Sequence, residues 1–262
     1  MQGKSKLFWR LITVGVVIFF ISAGAYFLLT AGGDSKRLEQ SLIDRYGWAD
    51  EYVPAADGAI SADRLERFVR VRQAVQPDCI AYHRVLDGIV GLIEIETDPD
   101  VSGADAASRG VKAFKSMISV GPLMLRFMDT RNTTLLREEM GIGEYMHLYL
   151  LTYGQQLSQA ADSPYAEMEE AWINDRTRED YQQILTNQLE SLDVSDPSSL
   201  ADVIRSEKQR LEEDPKATPW PDGPLPVTRE SLAPYQDRLD DLYCDGLVSV
   251  ELLQKRRKLI FG

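Results

Sequence analysis

The chain reads as all-α: one N-terminal transmembrane helix, then an external multi-helix bundle with a proline-rich connector. Three observations predict this. Residues 11–31 carry no charged side chain. Apolar residues recur at helical spacing through most of the chain beyond residue 60. No stretch alternates at period two in the way a half-buried strand would. The 262 residues are 44% hydrophobic and 27% charged, a globular composition with enough chain for one or two cores. The net charge of −12 argues against a nucleic-acid partner, since phosphate binding needs a concentrated positive surface.

Leu11 to Ala31 reads LITVGVVIFFISAGAYFLLTA. As a helix its 21 residues cover about 31 Å, the thickness of a bilayer's hydrocarbon core. Phe8 and Trp9 stand at one border, where aromatic rings favour the headgroup region. The rival reading is a cleaved signal peptide, with Lys4, Lys6 and Arg10 as its basic region and Ala23-Gly24-Ala25 as its cleavage site. The apolar run continues through Tyr26 to Leu29, too long for that, so a retained signal anchor in the lipid bilayer is preferred. The flanking charges and the short tail put residues 1–10 in the cytoplasm and the rest in the periplasm, at the inner membrane of a bacterial envelope. All 41 acidic residues come after residue 31 and three of the 29 basic ones precede it, so the external body carries −15.

Residues 32–60 are read as a membrane-proximal linker and residues 61–213 as the helical domain. Ser61 is a fitting N-cap for ADRLERFVRVRQAV, with Leu65, Phe68, Val69 and Val75 near one stripe. Pro77 is expected to interrupt, the helix resuming to about Glu96. A second long pattern runs from about Ala104 to Asp129, with Gly121-Pro122 predicted to kink or split it. Gly141 and Gly143 flanking Ile142 suggest a turn, with Glu144 in the first turn of the next helix. Further helices are expected over residues 164–192 and from Asp196-Pro197-Ser198 to near Glu213. Residues 214–227, with five prolines between 215 and 226, predict an extended polyproline-like connector anchored by Trp220. Thr228 is expected to cap the C-terminal helices, residues 228–262, which pack on the helical domain.

Few residues carry a chemical signature. Glu144 and His147 form an E-x-x-H pair one helical turn apart, half of a helical metal site. The other histidine, His83, has Ile80 in the position where a second pair needs an acid. A zinc site from His83, His147 and Glu144 needs two distant helices to converge, so no metal or other cofactor is expected. Asp98-x-Asp100-x-Ser102-Gly103 imitates half a calcium loop, but Arg109 stands where the bidentate Glu belongs. Nucleophile elbows, zinc-protease motifs and phosphate loops are missing from the sequence. Cys79 and His83 at i,i+4 suit an activated thiol in principle, but an apolar helix face favours plain core. Cys79 and Cys244 are a candidate disulfide in an oxidising compartment; two separate core thiols are the favoured reading. Tyr145, Tyr149 and Tyr153, spaced four by four, read as core first and as the lining of a lipid-binding groove second. Asn132-Thr133-Thr134 is a formal glycosylation sequon, taken as incidental, and Lys255 to Lys258 form a basic end.

The segment RNTTLLREEMGIGEYMHLYLLTY, residues 131–153, resembles uncharacterised bacterial single-span envelope proteins with a helical external domain. ADRLERFVRVR and LYCDGLVSVELL echo it. The resemblance implies a membrane-tethered helical body and brings no catalytic residues.

The expected function is therefore a non-enzymatic interaction or scaffold module with an envelope protein as partner. Its binding residues are expected around the Gly-Ile-Gly turn: Arg131, Asn132, Glu144, Tyr145, His147 and Tyr149. A lipid binder, with a cavity lined by Met117, Met124, Phe127, Tyr145 and Tyr149, and an enzyme or metal site at Glu144 and His147 are the alternatives.

Overall fold

A computed structural model describes residues 32–96, 103–159, 175–192, 199–244 and 248–252. The anchor at 11–31, the calcium-like residues 98–102 and the basic end lie outside them. The described residues are helical with no strand: α1 (Gly32–Tyr46), a 3-10 turn (Ala49–Glu51), α2 (Ala62–Glu96), α3 (Gly103–Arg137), α4 (Ile142–Gln159), α5 (Asp175–Ser191), α6 (Ser199–Glu213), α7 (Pro226–Leu232), a second 3-10 turn (Ala233–Tyr235), α8 (Gln236–Asp240) and α9 (Val248–Glu251). None of the described helices is long and apolar enough to cross a membrane.

Helices α2 and α3 pack along one another in opposite directions, pairing Arg70 with Glu138 at one level and Asp78 with Arg126 at another. Both run unbroken through their prolines, contrary to the predicted break at Pro77 and the split at Pro122. The reason is where the missing hydrogen bond falls. At Pro77 the unpaired carbonyl is that of Gln73, and both residues are exposed, so water can serve it; Pro122 likewise sits on an exposed part of its helix beside exposed Gly121.

The central element is α4. Residues from Ile142 to Gly154 are buried almost without interruption. A helix buried all round is a core helix, and α1, α2, α5 and the C-terminal segments enclose it. Its glycines serve close approach. A Cβ on Gly143 would stand 2.4 Å from the Ala49 carbonyl oxygen, and one on Gly154 would stand 2.2 Å from that of Pro219. The reversal before α4 is made by Glu139, whose φ is 52°, and not by the glycines that suggested a turn there.

Three expectations are corrected. The stretch read as a linker contains α1, which buries Ser35, Glu39 and Leu42 against α3 and α4. Two polar residues on that stripe hid its period. The connector is anchored by Trp220 as expected, but it is a chain of turns; φ of 53° at Trp220 and 87° at Gly223 break any polyproline run. Trp220 donates its indole N–H to the Tyr181 hydroxyl at 2.6 Å, and its backbone N–H donates to Glu207 Oε1 at 2.8 Å. Thr228 does not cap α7, which starts at Pro226 after Leu225. Its hydroxyl donates to the Gly58 carbonyl at 2.7 Å and so pins α7 to the loop before α2.

Candidate functional site

The N-terminus of α2 and the first turn of α4 meet at a small pocket. Ser61 stands just before α2, its hydroxyl oxygen accepting from the Arg64 backbone N–H at 3.4 Å. Arg64 points across to α4 and holds Glu144 through Nε and Nη2, one nitrogen on each carboxylate oxygen. Nη2 also donates to the Glu139 carbonyl at 3.2 Å. One turn on, His147 completes the wall of a cavity of about 210 Å³ shared with Tyr52, Ile60 and Leu148.

His147 is buried between the rings of Tyr52 and Tyr181, at centroid distances of 5.7 and 5.9 Å. Burial pushes its pKa down to about 3, so the imidazole is neutral at physiological pH. Its Nδ1 has no hydrogen-bond partner. Burial, and secondarily the Glu144 carboxylate, raise the Tyr52 phenol well above its ordinary value. Glu144 and His147 thus share a pocket, but Arg64 occupies both carboxylate oxygens. Nor does His83 join them: it lies with Cys79 and Cys244, and the three offer ligand atoms within 4.8 Å of one another. The zinc set of His83, His147 and Glu144 is not assembled.

Arg131 and Asn132, expected at the surface, are fully buried elsewhere. Arg131 donates to the Glu251 backbone carbonyl through Nη1, and through Nε to Asn132 Oδ1 at 3.0 Å. A buried Asn132 is no glycan acceptor, in line with the incidental reading of its sequon. The centre of this region was missed in the sequence: Arg72 on α2 and Glu251 on α9, both with no side-chain exposure, form an ion pair. Arg72 also donates to the Tyr145 hydroxyl at 2.9 Å and to the Leu242 carbonyl at 2.7 Å. Tyr145 donates in turn to Glu251. The guanidinium lies 5.2 Å from the Tyr149 ring centre and 5.3 Å from that of Tyr153. Burial alone would lower the Arg72 pKa; the Glu251 carboxylate, together with Tyr145, Tyr153 and Tyr149 beside it, outweighs burial and keeps the guanidinium charged. For Arg131 burial wins, and its pKa is lowered.

Tyr145 and Tyr149 are therefore core, as first read. They pack on Phe68 and Tyr153 around a charged centre that a lipid tail would not tolerate. Phe127 and Met124 pack instead around the cysteines.

Cys79 and Cys244 are bridged, with 6.0 Å between their Cα atoms, which overturns the reading as two separate thiols. The sequence could not show that α2 and the segment after α8 lie side by side. A cleft of about 630 Å³ opens between α4, the connector and α7–α8, lined by Gln155, Gln156, Asp222, Arg229, Gln236 and Asp240 among others. Comparison of the chain with protein-family models, with curated proteins and with solved structures finds no match.

Proposed function

We propose that the protein is a membrane-tethered, non-enzymatic interaction module, its helical body held outside the cytoplasmic membrane by the apolar segment 11–31. The observation that carries this reading is the buried Cys79–Cys244 bridge, since such bonds persist in oxidising compartments and are rare in the cytosol. The chemistry-bearing side chains support the non-enzymatic part. Arg64 takes up Glu144, burial holds His147 neutral, and Arg72, Arg131 and Glu251 hold the core together. The 630 Å³ cleft offers what a partner segment needs: amide, carboxylate and guanidinium groups on three elements, over the apolar floor of Leu151 and Leu232. Tethering raises the effective concentration of this surface for other membrane-bound partners.

Two measurements test the reading. In intact cells, maleimide labelling should modify Cys79 and Cys244 only after reduction and denaturation, and protease added outside the inner membrane should digest the body. Thiols that react without reduction, on a body protected until the membrane is opened, would overturn the compartment. Photo-crosslinkers at Gln156 and Gln236 should give a discrete adduct that the same group at exposed Gln209 on α6 does not. Identical products at all three positions would remove the cleft as the interaction surface.

A further inference from the structure

The sulfur cluster has a second chemistry. Cys79 and His83 lie four residues apart on α2, hence on one face, and Cys244 arrives from the segment after α8. Two sulfurs and one imidazole nitrogen sit within 4.8 Å of one another. Val75, Phe127, Tyr82, Met124 and Met128 pack around the two sulfurs, while His83 is only half-buried. We infer that, with its two cysteines in the thiol state, the protein binds one zinc ion through Cys79, Cys244 and His83.

Donor chemistry, charge and geometry agree on this ion. Two thiolates and one imidazole are a zinc set, with the fourth position open to water or another ligand. The charge suits the surroundings: two thiolates and Zn²⁺ sum to zero, the state that a largely apolar pocket tolerates, whereas a monovalent ion would leave a negative charge there. The required motion is small. Zinc–sulfur bonds of about 2.3 Å in a tetrahedron set the sulfurs about 3.8 Å apart. A Cα separation of 6.0 Å allows this by side-chain rotation.

The steps balance. The thiol state exists before the bridge forms. It returns when a dithiol reductant attacks the bridge: its first thiolate breaks the S–S bond, and its second thiol resolves the mixed disulfide. The two electrons and two protons go to Cys79 and Cys244, and the reductant leaves as its own disulfide. Zinc then displaces two protons from the two thiols and takes the lone pair of a His83 ring nitrogen. Bridge and zinc are exclusive occupants of the same sulfurs, so the bridged protein holds no metal and the metal-loaded protein carries no bridge.

The test is zinc titration of the purified full chain in detergent against a chromogenic chelator, with and without prior reduction. One equivalent should bind to the reduced protein and none to the bridged form. Cys244→Ser should abolish binding, and His83→Ala should weaken it at least tenfold. Because reduction alone could loosen the fold, thermal unfolding is followed by circular dichroism on the same samples. Zinc should raise the midpoint of the reduced chain and leave that of the bridged chain unchanged. Reduced protein that takes up no zinc, a His83→Ala variant that binds as tightly as wild type, or zinc that binds without raising the midpoint would each overturn the site. None of these results touches the compartment reading, which the labelling experiment tests separately.

Discussion

Two arginines stand eight residues apart on α2, and each is paired with a glutamate from a later helix. Arg72 and Glu251 have no exposure at all, whereas the Arg64 and Glu144 side chains retain 28% and 13%. The chemistry of the pairs is the same and their environments are not. Removing one partner of a dry pair strands a charge that has no water to turn to. Removing one partner of a pair at a pocket mouth lets water and the remaining hydrogen bonds take over. The first pair is therefore a structural centre and the second a polar rim.

The largest effect should come from breaking the dry pair. Glu251→Ala leaves Arg72 without a counter-charge and Tyr145 without its acceptor, and should cost about 3–5 kcal/mol in urea unfolding. Arg72→Met together with Glu251→Leu should cost clearly less than the sum of the single changes, because neither charge is then stranded. Additive losses would mean that the two side chains are not coupled.

Next comes the bridge that holds this region together. Cys244 lies seven residues before Glu251, and its bond to Cys79 closes a loop of 165 residues. Replacing both cysteines by serine should lower stability by about 3 kcal/mol, mostly through a less restricted unfolded chain. Urea unfolding of the double variant beside wild type measures it. A change below about 1 kcal/mol would show that the Arg72–Glu251 centre holds the C-terminal segment without the tether.

How far the sequence disclosed these centres depends on which residues sit on its stripes. Helices α2 and α4 are legible because Leu65, Phe68, Val69 and Val75, and later Tyr145, Tyr149 and Tyr153, recur at helical spacing. The dry pair was legible in principle too. Arg72 continues the stripe of Leu65, Phe68 and Val69, and Glu251 comes after Val248 at the same spacing before Leu252. A charge on an apolar stripe has to find a buried partner, but which partner depends on helices brought together by long-range packing. Arg131 and Asn132 are expected in the binding set around the Gly-Ile-Gly turn, yet Phe127 and Leu135 put Arg131 on a buried stripe one turn from each. Glu144 and His147 were found because their spacing is local. Arg64, which decides what Glu144 can do, is 80 residues away and had no local signal.

Between the two ion pairs in expected size lies the neutral histidine beside the wet one. With a folded pKa of about 3, His147 lies below the ordinary histidine value near 6.5 that it takes when unfolded. As pH falls below about 6.5 the unfolded chain takes up the proton first, so stability is complete above that point and declines toward pH 3. At pH 5 the loss should be about 2 kcal/mol relative to pH 7.5. His147→Phe, which keeps a ring between Tyr52 and Tyr181, should flatten that interval. A variant as acid-sensitive as wild type would assign the proton uptake to other groups.

The smallest effect should come from the wet pair, and its smallness is what separates the two regions. Glu144→Gln removes the negative charge but keeps a carbonyl that can accept from Arg64. Arg64 retains its bond to the Glu139 carbonyl and enough exposure to hydrate. The cost in urea unfolding should stay below about 1 kcal/mol and shrink further when wild type and variant are compared in high salt, because ions reach a half-buried pair at a pocket mouth. The Glu251 variant should show little salt dependence, since ions do not reach a pair with no exposed surface. A Glu144→Gln loss of about 3 kcal/mol or more, insensitive to salt, would place this pair in the same class as the buried one. The pocket at the end of α2 would then be part of the structural core and no longer a rim around a cavity.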